Sequence, residues 1–177
     1  NPQTQVNPAQ TTVYSVSVTD ANGCSDSDDV EVVVNPLPTA DAGADQTICE
    51  GQTATLTASG GIGYLWSNAE TNPQTQVNPA QTTIYSVSVT DANGCSDSDD
   101  LEVVINPLPM QPEVTANGSD LESTSGISHQ WYWDGNPING ANSPIYTPTT
   151  SGNYSVEVFD SNGCSSISDE YTWITVG

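Results

Sequence analysis

Thr83-Ile84-Tyr85-Ser86-Val87-Ser88-Val89-Thr90-Asp91-Ala92-Asn93-Gly94-Cys95, with Leu101-Glu102-Val103-Val104-Ile105 a few residues on, is the stretch that decides the fold. Apolar and polar side chains alternate through its first part, so Tyr85, Val87 and Val89 share one face and serines take the other. A period of two marks a half-buried strand, because successive side chains leave a strand on opposite sides. Residues 101–105 alternate too, with Leu101, Val103 and Ile105 together. Between the two runs lies Asn93-Gly94, a strong hairpin signal because both residue types tolerate positive φ. The same turn recurs at Asn22-Gly23-Cys24 and Asn162-Gly163-Cys164.

Working outward, Thr53–Ala58 and Ile62–Trp66 read as further strands of the same unit. In the last third, Gly152–Val158 matches the strand of Tyr85, and Ser128–Trp133 reads as a strand leading into a tight turn at Asp134-Gly135. Trp131 is the natural core tryptophan there. A last strand is expected within Tyr171–Val176. No segment has a helical period. Many short strands between Gly, Pro and Asn turns predict an all-β protein of tandem antiparallel β-sandwiches.

The organisation is repetitive. Residues 1–38 return as 72–109 at an offset of 71, with 35 of the 38 positions identical. The exceptions, Val13/Ile84, Val30/Leu101 and Val34/Ile105, each exchange one aliphatic side chain for another. A fixed period of this length marks an array of small domains. The joints are Asn-Pro-Leu-Pro at residues 35–38 and 106–109, stiff segments that cannot lie in a central strand. They give a C-terminal half repeat (1–36), a complete repeat (37–107) and a divergent final domain (110–177). A sequence that opens in mid-repeat is expected to be a fragment of a longer protein.

Composition narrows the function classes. The chain has 177 residues, 22 Asp and Glu, no Lys or Arg, and a formal net charge of −22. Nucleic-acid binding is excluded as an expectation, since phosphate neutralisation requires Lys and Arg. No run of 18 apolar residues suggests a membrane span.

The stretches "QWYWDGNPING…YTPTTSGNYSVEVFDSNGCSS" and "ADAGADQTICEGQTATLTASGG…YSVSVTDANGCSDSD…NPLP" resemble the immunoglobulin-like and PKD-like repeats of large bacterial cell-surface proteins. The resemblance covers nearly the whole chain. It implies export by the type IX secretion pathway, as for gliding-motility adhesins, and a place outside the cell. It also extends to the spacer regions of secreted polysaccharide-degrading enzymes.

Four cysteines are present. Cys49 follows the first strand region of the complete repeat, Cys95 sits just after its hairpin turn, and the two are expected to be bonded. Such a bridge closes ~46 residues and would stabilise by roughly 3–4 kcal/mol on the chain-entropy model. It would also place the protein in an oxidising compartment. Cys24 and Cys164 are then unpaired within the chain.

Acidic residues recur at Asp26, Asp28 and Asp29 and at Asp97, Asp99 and Asp100; Asp41 and Asp45 follow the first joint. The set Asp41, Asp45, Asp97, Asp99 and Asp100 could supply oxygen ligands to calcium. Against that stands a charged strand edge that discourages aggregation; no Asp-x-Asp-x-Asp-Gly loop is present. No other cofactor is expected. His129 reads as a surface strand residue without the partners a catalytic triad needs. Tyr132 is expected as an exposed ring and Trp133 at the core or its edge; either could contact a glycan. The expected role is non-enzymatic: a stalk, filament or adhesive segment whose partners are neighbouring repeats, copies of itself or surface glycans. The alternative is an accessory carbohydrate-binding or spacer region of an extracellular polysaccharide-degrading enzyme. The 1–36 strands lack their repeat partners and should require completion by other chain.

Overall fold

The computed structural model describes residues 3–124 and 126–175. Every regular element among them is a strand. The chain divides into two compact units: Asn1–Ala44 with Thr55–Thr75 and Ile84–Leu101, and Asp45–Ala54 with Gln76–Thr83 and Glu102–Gly177.

The half repeat folds as a hairpin, β1 (Thr12–Thr19) against β2 (Ser25–Val32), with Thr12 opposite Val32 and Thr19 opposite Ser25. It forms a two-stranded sheet among the described residues. The complete repeat has six strands: β3 (Gln46–Cys49), β4 (Ala54–Thr57), β5 (Gly63–Trp66), β6 (Gln74–Val77), β7 (Thr83–Thr90) and β8 (Ser96–Asn106). They make a four-stranded sheet, β3-β8-β7-β5, and a two-stranded sheet, β4-β6. The arrangement is mainly antiparallel, but β3 runs parallel to β8, with Gln46 opposite Val103 and Cys49 opposite Asn106.

The alternating pattern explains the burial. Val87, Val89, Leu101 and Val103 are buried, as are Leu56, Trp66 and Val77. The indole N–H of Trp66 donates to the Asn72 carbonyl at 3.0 Å, so the tryptophan is buried without an orphaned donor. Ile84 stays exposed, as the opposite face of an alternating strand requires.

The final domain contains β9 (Val114–Asn117), β10 (Asp120–Ser123), β11 (Ser128–Trp133), β12 (Asn136–Pro137), β13 (Ile145–Tyr146), β14 (Gly152–Phe159), β15 (Ser165–Ile167) and β16 (Tyr171–Trp173). One sheet runs β13-β10-β9; the other runs β12-β11-β14-β15, with β16 also pairing β14. Leu121, Trp131, Ala141, Tyr154, Val156 and Val158 form its core. The buried Trp131 donates its N–H to the Ser143 carbonyl at 2.8 Å, and the Tyr154 hydroxyl donates to the Thr150 carbonyl at 2.9 Å. The two sheets are all-β, as the alternating pattern predicts. Of the expected terminal strand, residues 171–173 are strand and Val176 lies outside the described residues.

The three Asn-Gly turns differ from the expected two-residue hairpin. Gly94 has φ of 81°, but Asn93 is not in the positive region, so this is not a type I′ turn. Instead Asp91 closes the turn: its Oδ1 accepts the amides of Asn93 at 2.8 Å and Cys95 at 2.9 Å. Asp20 does the same for Asn22 and Cys24, and Asp160 for Asn162 and Cys164. The backbone hydrogen bonds at Asp20, those from Cys24 and Asn22 foremost, hold its carboxyl below the usual carboxylate value. By contrast, Asp134 and Gly135 both have positive φ, and they form the tight two-residue turn between β11 and β12.

Candidate interaction site

The disulfide expected between Cys49 and Cys95 is not formed; Cys49 is bonded to Cys164. The geometry explains the correction. Cys49 ends β3 and lies opposite Asn106, at the far end of β8, whereas Cys95 immediately precedes that strand. About ten residues of strand, roughly 33 Å, separate the two positions along β8; a disulfide requires Cα atoms within about 7 Å. Cys164 is therefore paired rather than unpaired, and it is buried. Cys24 is exposed and Cys95 half-buried, both as free thiols.

Three of the acidic residues, Asp41, Asp45 and Asp99, act as acceptors for the backbone. Asp99 Oδ2 accepts the Ala42 amide at 2.8 Å, and Asp45 Oδ1 accepts the Glu102 amide at 2.8 Å. Asp41 accepts the Gly43 amide at 2.9 Å and bridges to Ser59 through paired backbone bonds. Asp97 is half-buried and Asp100 exposed. Among the described residues, no three His, Cys, Asp or Glu side chains are grouped so as to hold an ion.

The aromatic expectations exchange places. Tyr132 is half-buried, and its hydroxyl donates to Glu157 Oε2 at 2.7 Å. That bond, with burial second, pushes the phenol above its ordinary value. Trp133 is the exposed ring, at 41%. Alternation alone groups it with buried Trp131, but β11 ends at Trp133 and turns away at Asp134. Its indole lies over Gly152, where a Cβ would stand 2.1 Å from Nε1. His129 is also corrected: it is buried, opposite Val158, and desolvation pushes its imidazole below the ordinary value. Its Nε2 has no hydrogen-bond partner.

The half repeat exposes an apolar face. Val6, Val16, Val18 and Val30 are 42%, 59%, 64% and 60% exposed. Their repeat equivalents Val77, Val87, Val89 and Leu101 are 7%, 1%, 0% and 1% exposed. Val6, Tyr14, Val16, Val30 and Val32 line a groove on this face. Asp28, the equivalent of Asp99, accepts only its neighbour's amide, from Asp29 at 2.9 Å.

No protein-family model matches the chain. No curated protein matches it either. Solved structures do. The titin domains Z1Z2 in complex with telethonin are 17% identical over 81% of this chain and 98% of theirs, with a TM-score of 0.34. Murine CEACAM1b is 10% identical over 78% and 100%, with a TM-score of 0.41. A Ca2+-stabilised adhesin that helps an Antarctic bacterium reach out and bind ice is 13% identical over 93% and 57%, with a TM-score of 0.41.

Proposed function

We propose that this chain is a non-enzymatic structural segment of a secreted surface protein, in which β-sandwich repeats act as spacers. The supporting observation is the repeat itself. A 38-residue stretch serves twice with 35 positions unchanged, and the buried Leu101 is the one place where an exchange falls in a closed core. A spacer needs a unit that folds reliably and can be copied, and it needs no reactive cleft. The Cys49–Cys164 disulfide favours an oxidising, extracytoplasmic setting, and the charge of −22 favours a solvated, self-repelling surface. Export through a type IX pathway and a bacterial cell-surface position extend the same reading.

Chains carrying one, two and three complete 71-residue repeats ahead of residue 110 test it. Small-angle scattering should show the maximum dimension rising by a constant increment per repeat. A compact globule would instead grow only as roughly the 0.38 power of chain length, and that result would overturn the spacer reading. A second reading, glycan contact, rests on the exposed Trp133 at the end of β11. It requires polysaccharide retention by the chain that Trp133→Ala abolishes; equal retention removes it.

A further inference from the structure

We infer that the β1–β2 face receives a segment like the first half of a repeat, and that this segment is covalently fastened to the next repeat along, through Cys95. The inference deepens the tandem-spacer reading and rests on it. The occupant is a segment with the pattern of residues 37–71.

The complete repeat shows what such a segment does. It contributes Ala42, Ala54, Leu56, Ala58 and Trp66 to the buried set. It adds a parallel strand along Val103–Asn106 and an antiparallel strand along Val87–Thr90. The corresponding edges of the half repeat, residues 32–35 and 16–19, have no such partner strand among the described residues. Two polar contacts complete the fit: Asp99 takes the Ala42 amide, and Asp45 takes the Glu102 amide. Asp28 and the Glu31 amide stand ready at the equivalent places. A second copy of the chain is a poorer occupant, because its own 37–71 segment is already committed to its own repeat.

The cysteines follow from the observed bond. Cys49 does not bond within its repeat; it bonds to Cys164, the turn cysteine between β14 and β15. That turn, Asp160 to Cys164, has the same Asp-closed hydrogen bonds as Asp91 to Cys95. The observed pair is 115 residues apart. A cysteine one period before Cys49 would stand about 117 residues before Cys95. The free, half-buried Cys95 thus has a partner of matching spacing. Closing the bond joins the two sulfur atoms and removes one proton and one electron from each thiol. A small-molecule disulfide accepts them and leaves as two thiols.

The test is the full chain extended by a copy of residues 37–71 directly before Asn1. The extended chain holds five cysteines. Disulfide mapping should find the added cysteine bonded to Cys95, Cys49 bonded to Cys164, and Cys24 free. A bond from the added cysteine to Cys24, or a free added thiol, overturns the staggered link. Hydrogen exchange at residues 12–19 and 25–32 should slow by on the order of a hundredfold, approaching residues 83–90. Unchanged exchange overturns the docking, as does a 177-residue chain already protected there as a dimer. Gly61→Val in the added copy should erase the gain, because a Cβ at Gly61 lies 2.5 Å from Val89 Cγ1 and 2.6 Å from the Thr90 carbonyl oxygen. Residues 83–106 in the same molecule report whether folding itself has failed. Constant length increments in scattering could survive either failure, so the spacer reading is judged separately.

Discussion

Residues 12–32 and 83–103 have nearly the same sequence, form the same hairpin and close it with the same Asp-Ala-Asn-Gly-Cys turn, yet only the second hairpin has a core. Val18 is 64% exposed where Val89 is wholly buried. Local sequence therefore determines the hairpin, and the neighbouring strands decide whether its apolar face leaves water. Full burial of one such side chain is worth about 1.5–3 kcal/mol. Scaled by their partial exposure, the four positions together represent roughly 3–7 kcal/mol that the half repeat does not realise.

The sharpest way to break this comparison is a charge at matched positions. Val89→Asp should destabilise the complete repeat by roughly 4 kcal/mol or more, since it buries an unpaired carboxylate. Val18→Asp should change stability by less than about 0.5 kcal/mol. Denaturant titration of both variants decides, and similar losses would mean that the half-repeat face is already covered.

The turn cysteines offer the next contrast. Cys49→Ser removes a bond between residues 115 apart, and on the chain-entropy model costs roughly 3–5 kcal/mol. Cys95→Ser, at a free thiol, should leave the melting temperature within about 2 °C. Thiol alkylation followed by intact mass should find two blocked cysteines in the unreduced chain.

A third contrast sets the final domain, which holds the only histidine, against the complete repeat. Burial pushes the His129 imidazole below 6.5, so above pH 6.5 neither the folded nor the unfolded chain binds this proton. As pH falls through 6.5 the unfolded chain takes up the proton first, and stability is lost between there and the lower folded value. His129→Phe should abolish this step, and hydrogen exchange of residues 83–106 should not show it.

The smallest expected effect lies in the turns. Asp91→Ala removes the acceptor for two amides and should cost about 1 kcal/mol. Asp20→Ala should loosen only the local turn, read as faster exchange of the Asn22 and Cys24 amides. Equal global losses would mean that the two hairpins are equally supported.

Alternation made β7, β8, β11 and β14 legible in the sequence, because each has one buried and one open face. β3 was not legible. Its four residues, Gln46–Cys49, have no clear alternation, and their parallel pairing is set by β8 rather than by themselves. The cysteine pairing was unreadable for a related reason: spacing along the chain does not report which strand end faces which turn. The sequence does carry a signal for the turns: an aspartate stands four residues before Cys24, Cys95 and Cys164 alike. Trp133 and His129 were misplaced because alternation says nothing about where a strand stops or how deep its neighbours bury it.

The bond from Cys49 to Cys164 also sets a load path. Tension applied at the two ends of the chain would cross from residue 49 to residue 164 through sulfur and bypass the 115-residue separation between them. That bypassed segment amounts to roughly 400 Å of contour length at full extension. While the bond holds, this length stays out of reach of any pull; once the bond is reduced, it becomes a reserve that the chain can release.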